Sequence, residues 1–378
     1  MSRPGAGAGA APRGLPTLTA LRAGAAALVF AYHLSRIVVP VPLADVGYAG
    51  VAFFFVLSGF VLTWSYRPEG SWGGFMVRRV ARVFPSHLVV MGVALILSAS
   101  LLPATVTPGM VASQTLLVQA WLFDPETILG INMVSWSLSA EMAFYALFPL
   151  LVPALLRMRP RLRAVCAMVL LAIPVVLGTV LTAAGSPEAA RLLYFDPLAR
   201  VPEFVLGIVI ALIVRAGQAP VLPRGTAILP VAAAWIACSV TAVPEFVGNA
   251  ALALAFAVII CEAARRDVAR ASGGRGRAPA RWAQFLGRIS FAFYLVHVLA
   301  MQLVVAYLPV PAGVRAVVAL VLATAAAVLL HIWVEKPAQR WVMTGWIKLR
   351  EISSSRTGSA VLRSGTLAAE RSDGEARR

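Results

Sequence analysis

Long apolar runs recur along the chain, with short polar segments between them. A membrane-spanning helix needs about 20 consecutive, mostly apolar residues. Ten segments approach or meet that requirement, at about 16–38, 48–66, 84–103, 135–156, 164–185, 198–215, 227–243, 247–264, 284–306 and 313–334. The pattern predicts an all-α, polytopic transmembrane bundle of about ten helices.

Three other segments lack this pattern. Residues 110–124 form a shorter apolar run that Thr, Ser and Gln interrupt, and we predict a lumen-side or interfacial loop there. The two ends of the chain, rich in Gly, Ala and Pro or in Ser, Arg and Gly, contain too little apolar surface to fold. We therefore predict disordered tails at 1–15 and 347–378, and one transmembrane domain at 16–346.

The composition excludes a water-soluble fold. The 378 residues are 60% hydrophobic and 13% charged, against roughly 45–50% and about 25% in soluble domains. A net charge of +17 would suggest nucleic acid in a soluble chain, but here the arginines collect in alternate loops, as expected of cytoplasmic loops. The opposite loop at 104–135 contains no Lys or Arg. We expect both termini in the cytoplasm, a multi-pass protein of the plasma membrane, a lipid bilayer around it and no nucleic acid.

The first span contains two ionisable residues, Arg22 and His33. Such residues are costly inside a bilayer and indicate a functional site by default. Eleven helical residues make nearly three full turns and rise about 16 Å, so the two side chains share one face at two depths. The alternative is that Arg22 extends to the inner interface and that His33 is a hydrogen-bonded packing residue.

The fourth span opens with a sequence that places Ser137, Glu141 and Tyr145 on one helix face. Because Glu141 follows the predicted outer start of this span, we expect it at the depth of His33. A carboxylate beside an imidazole holds the tautomer of the ring and favours its protonated form, as a general base requires. A structural ion pair between Glu141 and an arginine is the alternative.

Two further groups contain arginines that suit anion or substrate contacts. Arg200 and Glu203, three residues apart, can pair with each other or face the same cavity. Arg78, Arg79 and Arg82 follow the second span, and on a short helix the first and last of them share a face. Guanidinium groups bind phosphate oxygens through paired hydrogen bonds. Two alternatives explain the cluster equally well: the arginines only set the orientation of the chain in the membrane, or they bind anionic lipid headgroups.

Metal, disulfide and nucleotide-hydrolysis chemistry find no support in the sequence. Cys166, Cys238 and Cys261 lie far apart in apolar stretches, and the four histidines lack metal-ligand spacing. No HExxH, GxSxG or Walker-type motif occurs. We therefore expect no metal site and no tightly bound cofactor.

Several blocks of the sequence are informative as an ordered set. They are the Arg22 to His33 spacing, GVAFFFVLSGFVL at 50–62, FMVRRVARVFP at 75–85, WSLSAEMAFYALFP at 136–149, RVPEFVLG at 200–207, LGRISFAFYLVH at 286–297 and EKP at 335–337. Together they resemble the acyltransferase-3 family of integral membrane acyltransferases, over about 17–341. The chain departs from the family pattern at Ala52, where members often have an acidic residue, and at Glu141, where many have two.

This resemblance implies a ten-helix membrane domain in which Arg22 and His33 are essential. It also implies transfer of an acyl group from cytoplasmic acyl-coenzyme A (acyl-CoA), the co-substrate, to a hydroxyl of a sugar or other acceptor. Our hypothesis is that acyl-CoA binds its phosphates at the arginine cluster after the second span, extends past Arg22 and brings its thioester near His33. His33, oriented by Glu141, then acts as the general base. The residues expected to contact substrate are Ser137, Tyr145, Arg200 and Glu203.

Two mechanistic alternatives stay open. His33 could instead form an acyl-imidazole intermediate, or the same charges could serve a transporter or exporter of a small polar or lipid-linked molecule. A transporter leaves its substrate unchanged, whereas the enzyme releases free coenzyme A. The acceptor is open between a glycan, a glycolipid and a macrolide-like metabolite, and we expect acetyl or another short acyl group.

Overall fold

The computed structural model is helical wherever it describes regular secondary structure. The described residues are 14–100, 105–223, 225–241, 243–274 and 276–346. The tails predicted at 1–15 and 347–378 lie outside them, apart from residues 14 and 15. The helices are α1 (Pro16–Ile37), α2 (Gly50–Trp64), α3 (Trp72–Ser100), α4 (Pro108–Thr115), α5 (Pro125–Leu129), α6 (Trp136–Arg157), α7 (Pro160–Ala183), α8 (Pro187–Leu192), α9 (Pro197–Arg215), α10 (Leu229–Thr241), α11 (Glu245–Ala271), α12 (Arg281–Tyr307) and α13 (Ala312–Leu330).

Within these described ranges, nine helical stretches are long and apolar enough to cross a membrane. The last of them continues from α13 through a π-helical turn, His331–Glu335, as far as Trp346. The predicted span at 227–243 corresponds to a shorter apolar helix, Thr226–Thr241. The prediction of an all-α, polytopic membrane bundle is confirmed.

Helix α3 begins earlier than the apolar run predicted. The predicted span covered 84–103, but the helix starts at Trp72 and includes the whole arginine cluster, with Pro85 inside it. A search for consecutive apolar residues ends the span at the arginines. Their aliphatic stems can nevertheless lie along apolar surface, so a helix can continue through them. The cluster therefore belongs to one long helix rather than to a loop.

Residues 105–135, which include the predicted loop, fold into short helices that pack into the bundle. Several polar side chains of this segment are almost fully buried, Gln114 and Asn132 among them. His87 Nε2 lies 2.8 Å from the main-chain oxygen of Gln114, and Asn132 Nδ2 donates to the main-chain oxygen of Leu295 at 3.2 Å. These hydrogen bonds let the polar segment leave water, and the segment ties α3 to the middle of α12.

Helices α2 and α9 form the centre of the bundle, whereas α7 lies at its periphery. In their most apolar windows, 83% of α2 and 78% of α9 is buried, against 17% of α7. The two central helices approach closely because a Cβ atom at Gly59 or at Gly207 would collide with a main-chain oxygen of the opposite helix. Small residues at the contact allow this approach, as in other membrane bundles.

The start of α1 is fixed to the end of α11. The Asp267 carboxylate accepts hydrogen bonds from the main-chain nitrogen and the hydroxyl of Thr17, at 2.9 and 2.7 Å. Arg270 donates to the same hydroxyl at 2.6 Å and also pairs with Asp267. We call the end of the bundle at which α1 starts the basic end, and the positive-inside rule predicts that it faces the cytoplasm.

Candidate active site

A cavity of about 350 Å³ opens at the basic end of the bundle. Gly14 and Trp64 line it near the start of α1 and the end of α2, and Ser137 and Tyr294 line it deeper inside. Helices α1, α2, α3, α6 and α12 all contribute side chains to its wall. Its volume falls within the range of small-molecule sites.

Arg22 lines this cavity without a salt bridge to any residue that the structure describes. Its Nε atom is buried and makes no hydrogen bond to those residues either. An unpaired guanidinium inside a membrane bundle is unfavourable. The arrangement therefore suits an anionic ligand that supplies the missing counter-charge.

Two of the three arginines in the α3 cluster face the cavity. Arg79 and Arg82, one helical turn apart, both line it. The Arg79 guanidinium lies over the rings of Phe75 and Tyr145, at 5.7 and 5.9 Å from their centres. Arg78 is exposed and does not line the cavity. Of the predicted phosphate-binding cluster, the structure thus brings Arg79 and Arg82 to the cavity wall and leaves Arg78 outside it.

Glu141 also lines this cavity instead of orienting His33. The Tyr145 hydroxyl donates a hydrogen bond to its carboxylate, and Ser58 Oγ lies 3.5 Å from the same oxygen. None of the hydrogen bonds among the described residues joins Glu141 to His33. The prediction that this carboxylate orients the imidazole is wrong. Glu141 shares the cavity with Arg22, and its predicted face is intact because Ser137 and Tyr145 line the cavity too.

The position of Glu141 follows from where α6 begins. The sequence pattern predicts that this helix starts at the outer boundary of the membrane, but its start is tied to the middle of the 27-residue helix α12. The Tyr294 hydroxyl donates to the main-chain oxygen of Val134 at 3.0 Å and lies 2.8 Å from Ser137 Oγ. Glu141 follows one turn further along α6, so it lies nearer the basic end than expected.

His33, in α1, contacts another histidine, His297 of α12. Its Nδ1 atom lies 2.9 Å from the main-chain oxygen of Val29 and 3.2 Å from Nε2 of His297. His297 was not among the predicted site residues. It occupies the last position of the LGRISFAFYLVH block, and its place in that block was the one signal that could have identified it as a site residue. His33 is half-buried, its Nε2 has no hydrogen-bond partner among the described residues, and it does not line the cavity.

Two aromatic rings lie at the inner end of the cavity, next to the histidine pair. Phe54 and Tyr294 both line the cavity, with ring centres 6.3 Å apart. The Tyr294 ring centre is also 5.8 Å from that of His297, one helical turn further from the basic end. The cavity lining includes Tyr294 but neither histidine, so the cavity ends beside the histidine pair.

Sequence comparison assigns this arrangement to a known family. The Acyltransferase domain family, acyltransferase-3, matches residues 15–333. The chain belongs to the acyltransferase-3 family. Acyltransferase MdmB of Streptomyces mycarofaciens is 35% identical over 362 residues, which cover 86% of this chain and 92% of that protein. The chain is therefore a multi-pass membrane acyltransferase.

Two partial relatives have names that specify O-acetyl transfer. The putative peptidoglycan O-acetyltransferase YrhL of Bacillus subtilis is 28% identical over 224 residues, which cover 53% of this chain and 33% of that protein. The O-acetyltransferase OatA of Staphylococcus aureus is 30% identical over 166 residues, 40% of this chain and 27% of that protein. These matches thus span a third or less of either relative. No solved structure is significantly similar.

In this member of the acyltransferase-3 family, Arg200 and Glu203 are enclosed away from the cavity. Their side chains are 3% and 4% exposed, and Arg200 Nη2 lies 3.1 Å from Glu203 Oε2. The guanidinium also lies over the rings of Tyr194 and Phe55, at 5.0 and 5.3 Å. A void of about 10 Å³, shared with Asn249, adjoins the pair and has room for about one water molecule. Of the two interpretations of the sequence, the structure favours mutual pairing over a substrate contact.

Proposed function

We propose that this acyltransferase moves a short acyl group, such as acetyl, from cytoplasmic acyl-CoA to a hydroxyl of a carbohydrate or secondary-metabolite acceptor at the plasma membrane. The observation that carries the proposal is the cavity at the basic end, which contains Arg22, Arg79 and Arg82 and ends one helical turn short of the histidine pair. Acyl-CoA has the matching form, with an anionic nucleotide part, an extended arm and a thioester at the tip.

In this proposal, the donor binds by its charge at the mouth of the cavity. Arg79 and Arg82 take the phosphates, because guanidinium groups bind phosphate oxygens through paired hydrogen bonds. Arg22 lines the same cavity and forms no salt bridge within the described part of the chain. We assign it to a contact with the donor. The single carboxylate of Glu141 leaves an excess of positive charge in the lining, which favours an anion.

The acyl group then passes the aromatic rings of Phe54 and Tyr294 to reach His33. His33 Nε2 takes the proton of the acceptor hydroxyl while the hydroxyl oxygen attacks the thioester carbonyl. The carbon–sulfur bond breaks, and the departing thiolate takes the proton back from His33. The products are an O-acyl ester and free coenzyme A. Ser137 and Tyr145, which line the cavity, are the proposed polar contacts of the donor.

The test uses membranes that contain the protein, radiolabelled acetyl-CoA, and glycan and metabolite fractions from a strain that lacks the gene. We expect release of coenzyme A thiol in equal amount to labelled ester. The variant His33→Ala should insert and accumulate but lose roughly 10² to 10⁴-fold in turnover, the usual contribution of a general base. His87→Ala, which removes a buried histidine outside the cavity, is the matched control for folding and should keep its turnover per folded protein.

Three outcomes of this experiment have different meanings. Undiminished turnover in His33→Ala would overturn the proposed base. Movement of an unchanged metabolite across the membrane without thiol release would instead identify a transporter. Exchange of label between acetyl-CoA and free coenzyme A in the absence of any acceptor would replace general-base catalysis by an acyl-imidazole intermediate.

A further inference from the structure

The hydrogen bonds of the two histidines allow one arrangement of protons. His33 Nδ1 faces the main-chain oxygen of Val29 at 2.9 Å, and His297 Nδ1 faces that of Tyr294 at 2.8 Å. A carbonyl oxygen only accepts, so each Nδ1 carries the hydrogen, an assignment made from the network. In the neutral rings, each Nε2 therefore has a lone pair. The single Nδ1–H hydrogen of His33 is then shared between two acceptors, the Val29 oxygen at 2.9 Å and the lone pair of His297 Nε2 at 3.2 Å.

We infer that His297 is a positioning residue for His33, an inference that rests on the proposed acyl transfer. Together with the Val29 oxygen it accepts the shared Nδ1–H hydrogen of His33, which leaves His33 Nε2 as the basic atom for the acceptor hydroxyl. When Nε2 takes the proton, the His33 ring becomes cationic and its bond to His297 becomes charge-assisted and stronger. A neutral imidazole thus has the role that the sequence analysis gave to Glu141.

The surroundings of His297 keep it neutral and in place. Its side chain is 1% exposed, and its ring is stacked on Phe293, with centres 5.9 Å apart and an angle of 7° between the planes. The ring of Phe30 lies next to it, at 6.2 Å. A cation in this apolar setting would be poorly solvated, whereas His33 is half-buried. The positive charge of the intermediate therefore stays on His33.

A kinetic comparison of two substitutions tests the acceptor role. In His297→Leu the bond that strengthens during proton transfer is lost, so kcat should fall about 10 to 100-fold, the usual effect of losing an orienting partner, with KM for acetyl-CoA unchanged. In His297→Gln the side-chain amide oxygen can occupy the place of Nε2, and kcat should return to within about fivefold of wild type. His87→Leu replaces a buried histidine that also contacts a main-chain oxygen and controls for packing.

Nitrogen NMR of the wild-type protein tests the same geometry without turnover. The chain has four histidines, so ¹⁵N-histidine labelling, with one substitution for assignment, resolves each ring. We expect both His33 and His297 to carry hydrogen on Nδ1 and none on Nε2. A hydrogen on Nε2 of His297, an unchanged kcat in His297→Leu, or equal losses in the Leu and Gln variants would overturn the inference. If wild type transfers no acyl group, the proposed function fails, and the nitrogen spectrum still decides the tautomers.

Discussion

Two arginines lie inside the helical bundle in opposite circumstances. Arg200 has Glu203 beside it, two aromatic rings under it and a void of about 10 Å³. Arg22 has no salt bridge among the described residues and lies in a cavity of about 350 Å³. The positive charge of arginine thus has a counter-charge from the protein at one site and would receive its counter-charge from a ligand at the other. The comparison separates a stabilising charge from a binding charge.

Removal of Arg200 has the largest expected effect, and the effect is on stability. Arg200→Met leaves the Glu203 carboxylate buried without a counter-charge, which costs about 3–5 kcal/mol. The double variant Arg200→Met/Glu203→Met removes both charges and should recover most of that loss. Denaturant unfolding in detergent and the amount of protein in the membrane measure the stability of the single and the double variant. A single variant as stable as wild type would contradict the structural role of the pair.

Removal of Arg22 should affect binding and spare the fold. Arg22→Ala deletes an unpaired charge, so we expect no loss of stability. Its affinity for coenzyme A should fall by about 1.5–3 kcal/mol, roughly 10 to 150-fold, the range for hydrogen bonds to charged groups. Titration calorimetry with coenzyme A and unfolding of the same preparation provide the two values. If Arg22→Ala unfolds as readily as Arg200→Met, Arg22 is structural too.

A smaller difference is expected between neighbouring arginines of α3. Arg79→Ala removes a guanidinium from the cavity wall and should raise KM for acetyl-CoA about tenfold, or about 1.4 kcal/mol. Arg78→Ala removes an exposed arginine outside the cavity and should leave KM unchanged. Steady-state kinetics at one ionic strength compares them. Equal effects of the two substitutions would mean that the cluster acts as a diffuse positive patch.

The smallest effect is expected at Tyr294. Tyr294→Phe removes the hydrogen bond to Val134 and the contact with Ser137, which should destabilise the protein by about 0.5–1.5 kcal/mol. Because the ring is then less firmly held across the inner end of the cavity, kcat should not fall. Thermal unfolding and turnover of the purified variant measure both. A tenfold or larger fall in kcat would show instead that the hydroxyl contacts the reacting groups.

Local sequence predicted the features that depend on one helix. The Arg22 to His33 spacing needs only that α1 is continuous, and Pro16–Ile37 is one helix. The shared face of Ser137, Glu141 and Tyr145 likewise needs only helical periodicity, and all three line the cavity.

Features that depend on packing between helices were not predictable in this way. The depth of Glu141 depends on where α6 begins against α12, and no periodicity within α6 contains that information. The choice between Arg78 and Arg79 depends on the rotation of α3 about its axis. The contact between His33 and His297 joins residues 264 positions apart, so only the family resemblance, which includes both, placed them in one domain.

The most direct test of the central claim is a cryo-EM structure of the inactive variant His33→Ala with acetyl-CoA bound. The account predicts the phosphates at Arg79 and Arg82, the arm beside Arg22, and the thioester beyond a displaced Tyr294 ring, next to position 33. Acetyl-CoA bound outside this cavity, or with its thioester on the basic side of an undisturbed Tyr294, would contradict the account.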